Sequence, residues 1–265
     1  MTVGPTKGLR PWSLLVAAAS LLPDPALALP LPDCAGPIEI AHAKIVRVEK
    51  DGALDLQDGR AVLLEGIRLP GADMPSAPIA AKALEALRQL ATQSPLTLTA
   101  TAPKLDRYGR LRVQAFSEVW LQVELLKRGL ARVALMPDRQ ECSPDLLEAE
   151  TQARNAGRGL WALPDFAVRQ AQGFSAPEGS YQLVEGHVVN VANPPNGRAF
   201  LYFDADFRKG LSAVIAPEDR KAFRDSDPAL SDLIGHDIRI RGTVVNFNGR
   251  PEIALFNPRQ IEVVR

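Results

Sequence analysis

Acidic residues are concentrated around a predicted hairpin in the first half of the chain. Carboxylate oxygens are the ligands that a hard divalent cation requires, so acids that converge in space are candidates for a cation site. Acids in an exposed hairpin more often remain separate and solvated, and the sequence leaves both interpretations open. The acids in question are Asp51, Asp55, Asp58, Glu65 and Asp73.

A second group, Asp106-Arg107-Tyr108-Gly109-Arg110, places two arginines around an aromatic ring in a predicted turn. Chemistry that builds negative charge on a phosphoryl group is stabilised by cations and guanidinium groups. Arg107 and Arg110 are side chains of that kind. The alternative for Arg110 is a local ion pair with Asp106. The three histidines of the chain lack the spacing of metal ligands.

The elements that must position these groups are strands and helices that alternate up to residue 163. Leu54 and Leu56 alternate with polar residues, which predicts a half-buried strand, and Asp58-Gly59 is a strong hairpin signal. The predicted strands are 43–49, 54–57, 60–64, 96–101 and 111–116. The predicted helices are 79–91, 121–129 and 143–157, the last with Ser143 as its N-cap and proline at its first position.

Strands dominate after a predicted linker, 164–180, that is rich in proline and glycine. Five strands with one short helix midway are the pattern of a five-stranded OB-type barrel. The predicted strands are 183–192, 199–203, 211–215, 238–246 and 252–255, with the helix at 217–224 and a last edge strand at 260–264.

The second unit also combines aromatic residues with arginines. OB-type barrels bind single strands by stacking bases on aromatic side chains in a basic groove. Alternating phenylalanines equally form a barrel core, and we favour the core interpretation at this stage. Lys plus Arg and Asp plus Glu both number 31, so nucleic-acid contact would need a local basic patch. The residues are Phe200, Tyr202, Phe203, Phe207, Phe247, Phe256, Arg198, Arg208, Arg239, Arg241 and Arg250.

The first 28 residues have the pattern of a signal peptide. Lys7 and Arg10 precede an apolar run at 12–22, which is too short to span a bilayer, and Ala26-Leu27-Ala28 is a typical cleavage site. A disordered apolar tail is the alternative. We therefore expect an exported protein, periplasmic or secreted, with no membrane span after cleavage.

Cys34 and Cys142 are the two cysteines of the chain, and both follow the predicted cleavage site. An exported protein meets oxidising conditions, so we expect one disulfide between them, with two free thiols as the alternative.

The first unit resembles the staphylococcal nuclease (thermonuclease) family over about residues 43–163. The resemblance rests on the run 106–110, a following strand, Leu130-Ala131-Arg132-Val133, and a helix that ends in Gly157-Arg158-Gly159-Leu160-Trp161. Asp58-Gly59-Arg60, Gly66-Ile67 and Pro70 match its earlier half. Segments near 238–263 are similar to the OB-like tail domain of some bacterial members. The resemblance implies a barrel with three helices and a calcium-dependent phosphodiesterase that cleaves DNA and RNA.

Several positions depart from the family pattern. When D-G-D-T is aligned on residues 50–53, the first metal aspartate falls on Gly52. The first phosphate arginine falls on Leu63, the second metal aspartate on Arg68 and the catalytic glutamate on Gly71. The second phosphate arginine is retained as Arg110. A shift of one residue would supply Asp51 in place of Gly52 but would not restore the others. Two aromatic residues of the family are missing near Leu135 and Pro137.

These observations predict an α+β chain with a nuclease-like OB barrel at 43–163, a linker at 164–180 and a small OB-type barrel at 181–265. The expected site has Arg110 as the retained catalytic position and Arg107, Tyr108 and Arg68 as binding residues, with no metal and no cofactor. Arg68 either replaces the positive charge of the metal or is a solvated loop residue.

The expected function is a catalytically degenerate member of the family that binds nucleic acid, single-stranded in particular, or another phosphate-containing ligand. Two alternatives stay open. One is a working nuclease with a site rebuilt from other residues. The other is an envelope interaction module that binds a protein partner.

Overall fold

The computed structural model describes residues 1–2, 4, 30–71, 77–137, 139, 141–206, 210–224, 226 and 228–264. The predicted signal peptide lies almost entirely outside these residues, as do Asp73, Phe207 and Arg208. Within the described ranges no helix has the length and apolar character needed to cross a membrane.

The first unit combines a six-stranded sheet with three helices. Its strands are β1 (Ile38–Ala43), β2 (Ile45–Val48), β3 (Leu54–Leu56), β4 (Ala61–Leu64), β5 (Ile67–Arg68), β6 (Leu96–Thr99), β7 (Leu111–Phe116) and β8 (Arg132–Val133), and its helices are α1 (Ala77–Thr92), α2 (Leu121–Lys127) and α3 (Ser143–Asn155). The sheet order is β1-β6-β7-β4-β3-β2, and β5 pairs with β8 separately. Because β1 and β2 are nearly continuous, the sheet begins and ends on two halves of one strand.

The hairpin and the helices form where the sequence pattern favours them. Gly59 has a φ of +86°, which the turn between β3 and β4 requires, and the leucines of β3 are buried. In α1, Ala83, Leu87 and Ala91 recur at helical spacing and are almost fully buried. These residues join one hydrophobic core that includes α2 and α3.

The second unit has a sheet with the same strand order. Its strands are β9 (Arg169–Gln170), β10 (Tyr181–His187), β11 (Asn190–Ala192), β12 (Ala199–Tyr202), β13 (Ser212–Ile215), β14 (Asp237–Phe247), β15 (Arg250–Ala254) and β16 (Ile261–Val263), with a short helix α4 (Arg220–Phe223). The order is β11-β12-β13-β15-β14-β10-β9, and β16 pairs with β14. The first six strands of this order correspond to β2, β3, β4, β7, β6 and β1 of the first unit, and β9 is added at the end. Both units contain the corresponding parallel pair, β4 with β7 and β13 with β15, and in the second unit β9 is also parallel to β10. The chain is therefore α+β, with an OB-type nuclease-like fold followed by a further β unit.

Some predicted elements differ from the observed ones. Strand β1 was not predicted, because its apolar alternation is short and changes phase, from Ile38 and Ile40 to Ala41 and Ala43, and three of its six residues are exposed. The predicted strand at 183–192 is broken at Val188, whose backbone pairs with Gly235 and His236. Ser143 is the first residue of α3 rather than its N-cap, a position that Cys142 occupies without a side-chain cap.

The predicted linker is packed rather than extended. Phe166 is buried in the first core, Ala171 is buried in the second, and β9 pairs in parallel with β10. The predicted disulfide is confirmed, and it joins Cys34 to Cys142 across 108 residues.

Buried polar groups connect the two units. The hydroxyl of Tyr181 donates to the carbonyl of Val133, and Arg132 donates to the carbonyl of Tyr181, both at 2.7 Å. Glu150, which is 1% exposed, accepts from the backbone N–H of Val133 at 2.7 Å and forms an ion pair with Arg241. Burial raises the pKa of Tyr181 to about 12, so its hydroxyl stays protonated and donates.

A chain of ion pairs extends this contact toward the surface. Arg154 of α3 binds Glu262 at 2.8 Å, Glu262 also binds Arg239 at 2.7 Å, and Arg239 binds Glu185 at 2.7 Å. Burial, together with the neighbouring guanidinium groups, lowers the pKa of Arg154 from its ordinary value. Strand β14 is thereby fixed against the first unit.

Candidate functional site

A cleft of about 560 Å³ lies where the turn after β2 meets the segment that follows β4. Residues 50–52 and 63–71 form most of its wall, and Asp106, Arg112, Ala134 and Met136 complete it. Leucine, isoleucine and proline side chains make much of this wall apolar. In the sequence alignment, the family's metal ligands, first phosphate arginine and catalytic glutamate fall on residues of this wall. The second phosphate arginine falls on Arg110, which adjoins the wall because it binds Asp51 and Asp106.

The turn after β2 places Asp51 at the cleft and requires a glycine at the next position, residue 52. Gly52 has a φ of +86°, and a Cβ atom there would lie 2.8 Å from Cδ1 of Leu69. The Asp51 carboxylate accepts from the N–H of Ala53 at 3.1 Å, and this hydrogen bond, with the contribution of Arg110, lowers the pKa of Asp51. The turn therefore presents one ionised acid beside a glycine.

Arg110 lies between two carboxylates. Its Nη1 donates to Asp51 Oδ2 at 2.8 Å and its Nε to Asp106 Oδ2 at 2.9 Å. Burial alone would raise the pKa of Asp106, but the N–H and guanidinium of Arg110 and the N–H of Tyr108 outweigh it and lower this pKa. Burial likewise disfavours the charged form of Arg110, but the two acids raise its pKa, so all three groups are ionised at neutral pH.

Tyr108 is exposed between two guanidinium groups. Its relative exposure is 67%, and the Cζ atoms of Arg107 and Arg110 lie 4.8 Å and 5.3 Å from its ring centroid. Asp106 positions this loop by accepting from the N–H groups of Tyr108 and Arg110 at 2.8 Å and 2.9 Å. The structure therefore brings Arg107, Tyr108 and Arg110 together, next to a wall residue of the cleft.

Arg68 is in the cleft wall and also contacts the second unit. It lies on β5 opposite Arg132, and its Cζ is 5.9 Å from the ring centroid of Tyr181. Arg68 is thus a half-buried wall residue rather than a solvated loop residue.

Arg112 is a charged group of the wall that was not predicted, and Glu65, one of the predicted acids, pairs with an arginine that was not predicted. Arg112 lies beside Leu63 in the β4–β7 register, is mostly buried, and donates to the carbonyl of Pro103 at 2.8 Å. Arg112 follows Arg110 by two residues, and alternate residues of a strand share a face. This spacing could have predicted Arg112 as a further residue of the site. Glu65 forms a buried ion pair at 2.9 Å with Arg139, which is distant in sequence.

The acids of the first half do not converge on a common point. Of the five acids considered as a cation site, the four that the structure describes each pair with a different arginine: Asp51 with Arg110, Asp55 with Arg47, Asp58 with Arg60, and Glu65 with Arg139. Nowhere in the described residues do three His, Cys, Asp or Glu side chains form a group that could hold a metal ion.

The aromatic residues of the second unit divide between core and surface. Phe203 is a core residue, and Phe256 packs against the core of the first unit. Phe200, Tyr202 and Phe247 belong to neither core, and Phe247 is 46% exposed. Arg241 is buried against Glu150 of the first unit, and Arg239 is half-buried in ion pairs with Glu185 and Glu262, so neither lines an open groove. The core interpretation is therefore wrong for three of the aromatic residues.

The fold and the cleft together define an OB-type α+β domain whose charged turn at 106–110 borders an apolar pocket. Residues 61–163 match the family model described as staphylococcal nuclease homologue. The first unit is therefore a staphylococcal nuclease-like domain, as its resemblance to that family predicted. The match begins at β4, after the turn that carries Asp51 and Gly52. A search of curated proteins finds no match to the chain.

Proposed function

We propose that this protein is an exported, catalytically degenerate member of the nuclease family that binds single-stranded nucleic acid at the cleft of its first unit. The family match supports the class of ligand. Export is supported by the disulfide between Cys34 and Cys142, because disulfides persist in oxidising compartments.

The observation that carries the proposal is the pairing of Arg110 with both Asp51 and Asp106. Calcium takes six to eight oxygen ligands, several of them carboxylates. The carboxylates of Asp51 and Asp106 at this cleft are both held by one guanidinium, and Gly52, Arg68 and Gly71 provide no carboxylate where the aligned family pattern does. The residues present thus do not fit a calcium ion.

The same turn fits a nucleotide. An exposed tyrosine ring offers a face on which a base can stack, and the flanking guanidinium groups of Arg107 and Arg110 fit phosphate oxygens. The Asp51–Arg110 pair is more than half-exposed on the acid side, and exposed pairs contribute little stability, so a phosphate can replace Asp51 on Nη1.

The test separates binding from cleavage. A single-stranded oligonucleotide with a fluorophore and a quencher reports cleavage, and fluorescence anisotropy reports binding, each in CaCl₂, in MgCl₂ and in EDTA. We expect binding that is equal in CaCl₂ and EDTA, that weakens with added NaCl, and that Arg110→Ala reduces, with no cleavage in any buffer. Arg60→Ala is the matched control, because Arg60 is an exposed arginine paired with Asp58 in the neighbouring hairpin and is not part of the cleft wall. Cleavage that requires calcium and stops in Arg110→Ala would show a working nuclease instead.

A further inference from the structure

Strand register exposes one face of the second unit's sheet. In β12, Ala199 and Leu201 are fully buried, whereas Phe200 and Tyr202 are half-exposed on the opposite face. Tyr202 pairs with Ser212, Ser212 with Glu252, and Glu252 with Val245 of β14. Phe247 lies two residues after Val245, so it projects from the same face as Tyr202 and Phe200.

Aromatic rings and one arginine are organised on this face. The rings of Phe200 and Tyr202 are 5.7 Å apart between centroids and nearly parallel, at 4°. The Cζ of Arg198 lies 5.1 Å from the centroid of Phe200 and 4.9 Å from that of Phe247. We call these four residues, Arg198, Phe200, Tyr202 and Phe247, the aromatic platform.

The packing that holds the platform is specific. Arg198 forms an ion pair with Glu252, which is buried beneath it, so the guanidinium is fixed between two rings. The Asn248-Gly249 turn has positive φ at both residues and closes the hairpin that presents Phe247. Neither hydrophobic core includes any of the three rings. Large aromatic side chains that are ordered outside the core indicate a binding surface.

We infer that the aromatic platform is a second contact for single-stranded nucleic acid, on which bases stack. This inference rests on the proposed function and adds a second surface to it. Flat rings beside a cation are the arrangement that stacks bases without regard to sequence. In the observed strand order, β12 and β13 are the second and third strands of an OB-type sheet, and the face of those strands is where such sheets bind oligonucleotides.

The charge of the platform favours nucleic acid over a neutral peptide. Arg198 is about one-third exposed, whereas Glu252, with which it pairs, is 3% exposed. The guanidinium is therefore the accessible member of this pair, and a guanidinium beside stacked rings fits a phosphate backbone. A peptide rich in proline is the other occupant that such rings accept, and it becomes an outcome of the test.

The experiment compares a fluorescein-labelled dT20 strand with an abasic strand of equal length, using the full-length protein and fluorescence anisotropy. We expect Phe247→Ala and Tyr202→Ala each to weaken dT20 binding about fivefold or more and to leave abasic binding nearly unchanged, because stacking needs the base. Tyr202→Phe should retain wild-type affinity. Ile234→Ala, at an equally exposed apolar residue of the same unit, is the matched control. Thermal melting of each variant checks that the fold is retained.

The outcomes separate this inference from the proposed function. If Arg110→Ala weakens dT20 binding and the platform variants do not, the platform inference is overturned and the proposed cleft stands. If only the platform variants weaken it, the platform stands and the cleft fails. Absence of dT20 binding by the wild-type protein overturns both, and tight binding of a labelled decaproline in that case assigns the platform to a protein partner.

Discussion

Replacing Asp51 by asparagine should tighten the binding of single-stranded nucleic acid. Asp51 accepts from Nη1 of Arg110 at 2.8 Å, so a phosphate must displace it to reach that nitrogen. The asparagine keeps the size of the side chain and its oxygen but removes the charge that holds Arg110 and repels phosphate. The variant therefore weakens the competition between residue 51 and phosphate for Arg110, while the turn that carries residue 51 is retained.

The size of the effect follows from the exposure of the pair. The Asp51 side chain is 58% exposed, and such pairs contribute about 0.2–1 kcal/mol. Repulsion between Asp51 and a bound phosphate at about 4 Å adds about 1 kcal/mol at the dielectric constant of water. The sum, about 1–2 kcal/mol, corresponds to a dissociation constant about 5- to 30-fold lower.

Fluorescence anisotropy with dT20 measures this change. Asp58→Asn is the matched control, because it removes one charge from an exposed aspartate–arginine pair in the neighbouring hairpin, away from the cleft wall. Equal effects of the two variants, or weaker binding by Asp51→Asn, would show that Arg110 does not meet phosphate.

Three other predictions concern stability. Glu150→Gln should lower the free energy of unfolding by about 3–5 kcal/mol in urea denaturation, because it breaks a buried ion pair, whereas Glu148→Gln on the exposed side of α3 should have little effect. Reducing the disulfide that closes a 108-residue separation should lower the urea midpoint, with a loss of up to about 5 kcal/mol in the chain-entropy account. Because the pKa of Asp106 is below its unfolded value of 3.8, its stabilising contribution is complete above that pH and is lost as the pH falls through the folded-state pKa. Asp106→Asn should therefore lose less stability than wild type between pH 6 and pH 3, and equal losses would contradict the assignment.

Local signals in the sequence were sufficient to predict most of the fold. The Asp58-Gly59 hairpin and the periodicity of α1 depend on residue type and short spacing, and the disulfide follows from the presence of two cysteines in a chain with a predicted signal peptide. Strand β1 escaped prediction because its pairing with β6 stabilises a segment whose apolar alternation shifts phase at Ala41.

The sequence left the platform residues open between groove and core because both faces of β12 are apolar. Ala199 and Leu201 alternate with Phe200 and Tyr202, and a shift of register by one residue exchanges the buried and exposed sets. The pairing with β13 settles which set is buried. One of the two partners of Arg110 could be predicted. Asp106 is close in sequence, whereas Asp51 is 59 residues away and is brought to Arg110 only by the fold.

The ion pairing of this chain changes how its net charge should be interpreted. A neutral chain has no long-range attraction for nucleic acid, and Arg110, which the sequence aligns with a phosphate arginine of the family, is already bound to two acids. Affinity at the cleft then depends on exchanging a carboxylate for a phosphate on the same guanidinium, which yields less free energy than adding phosphate to a free cation. Stacking on Tyr108 and on the aromatic platform does not depend on that exchange. Under the proposed function, base stacking therefore supplies the larger share of affinity, and the arginines mainly position the backbone.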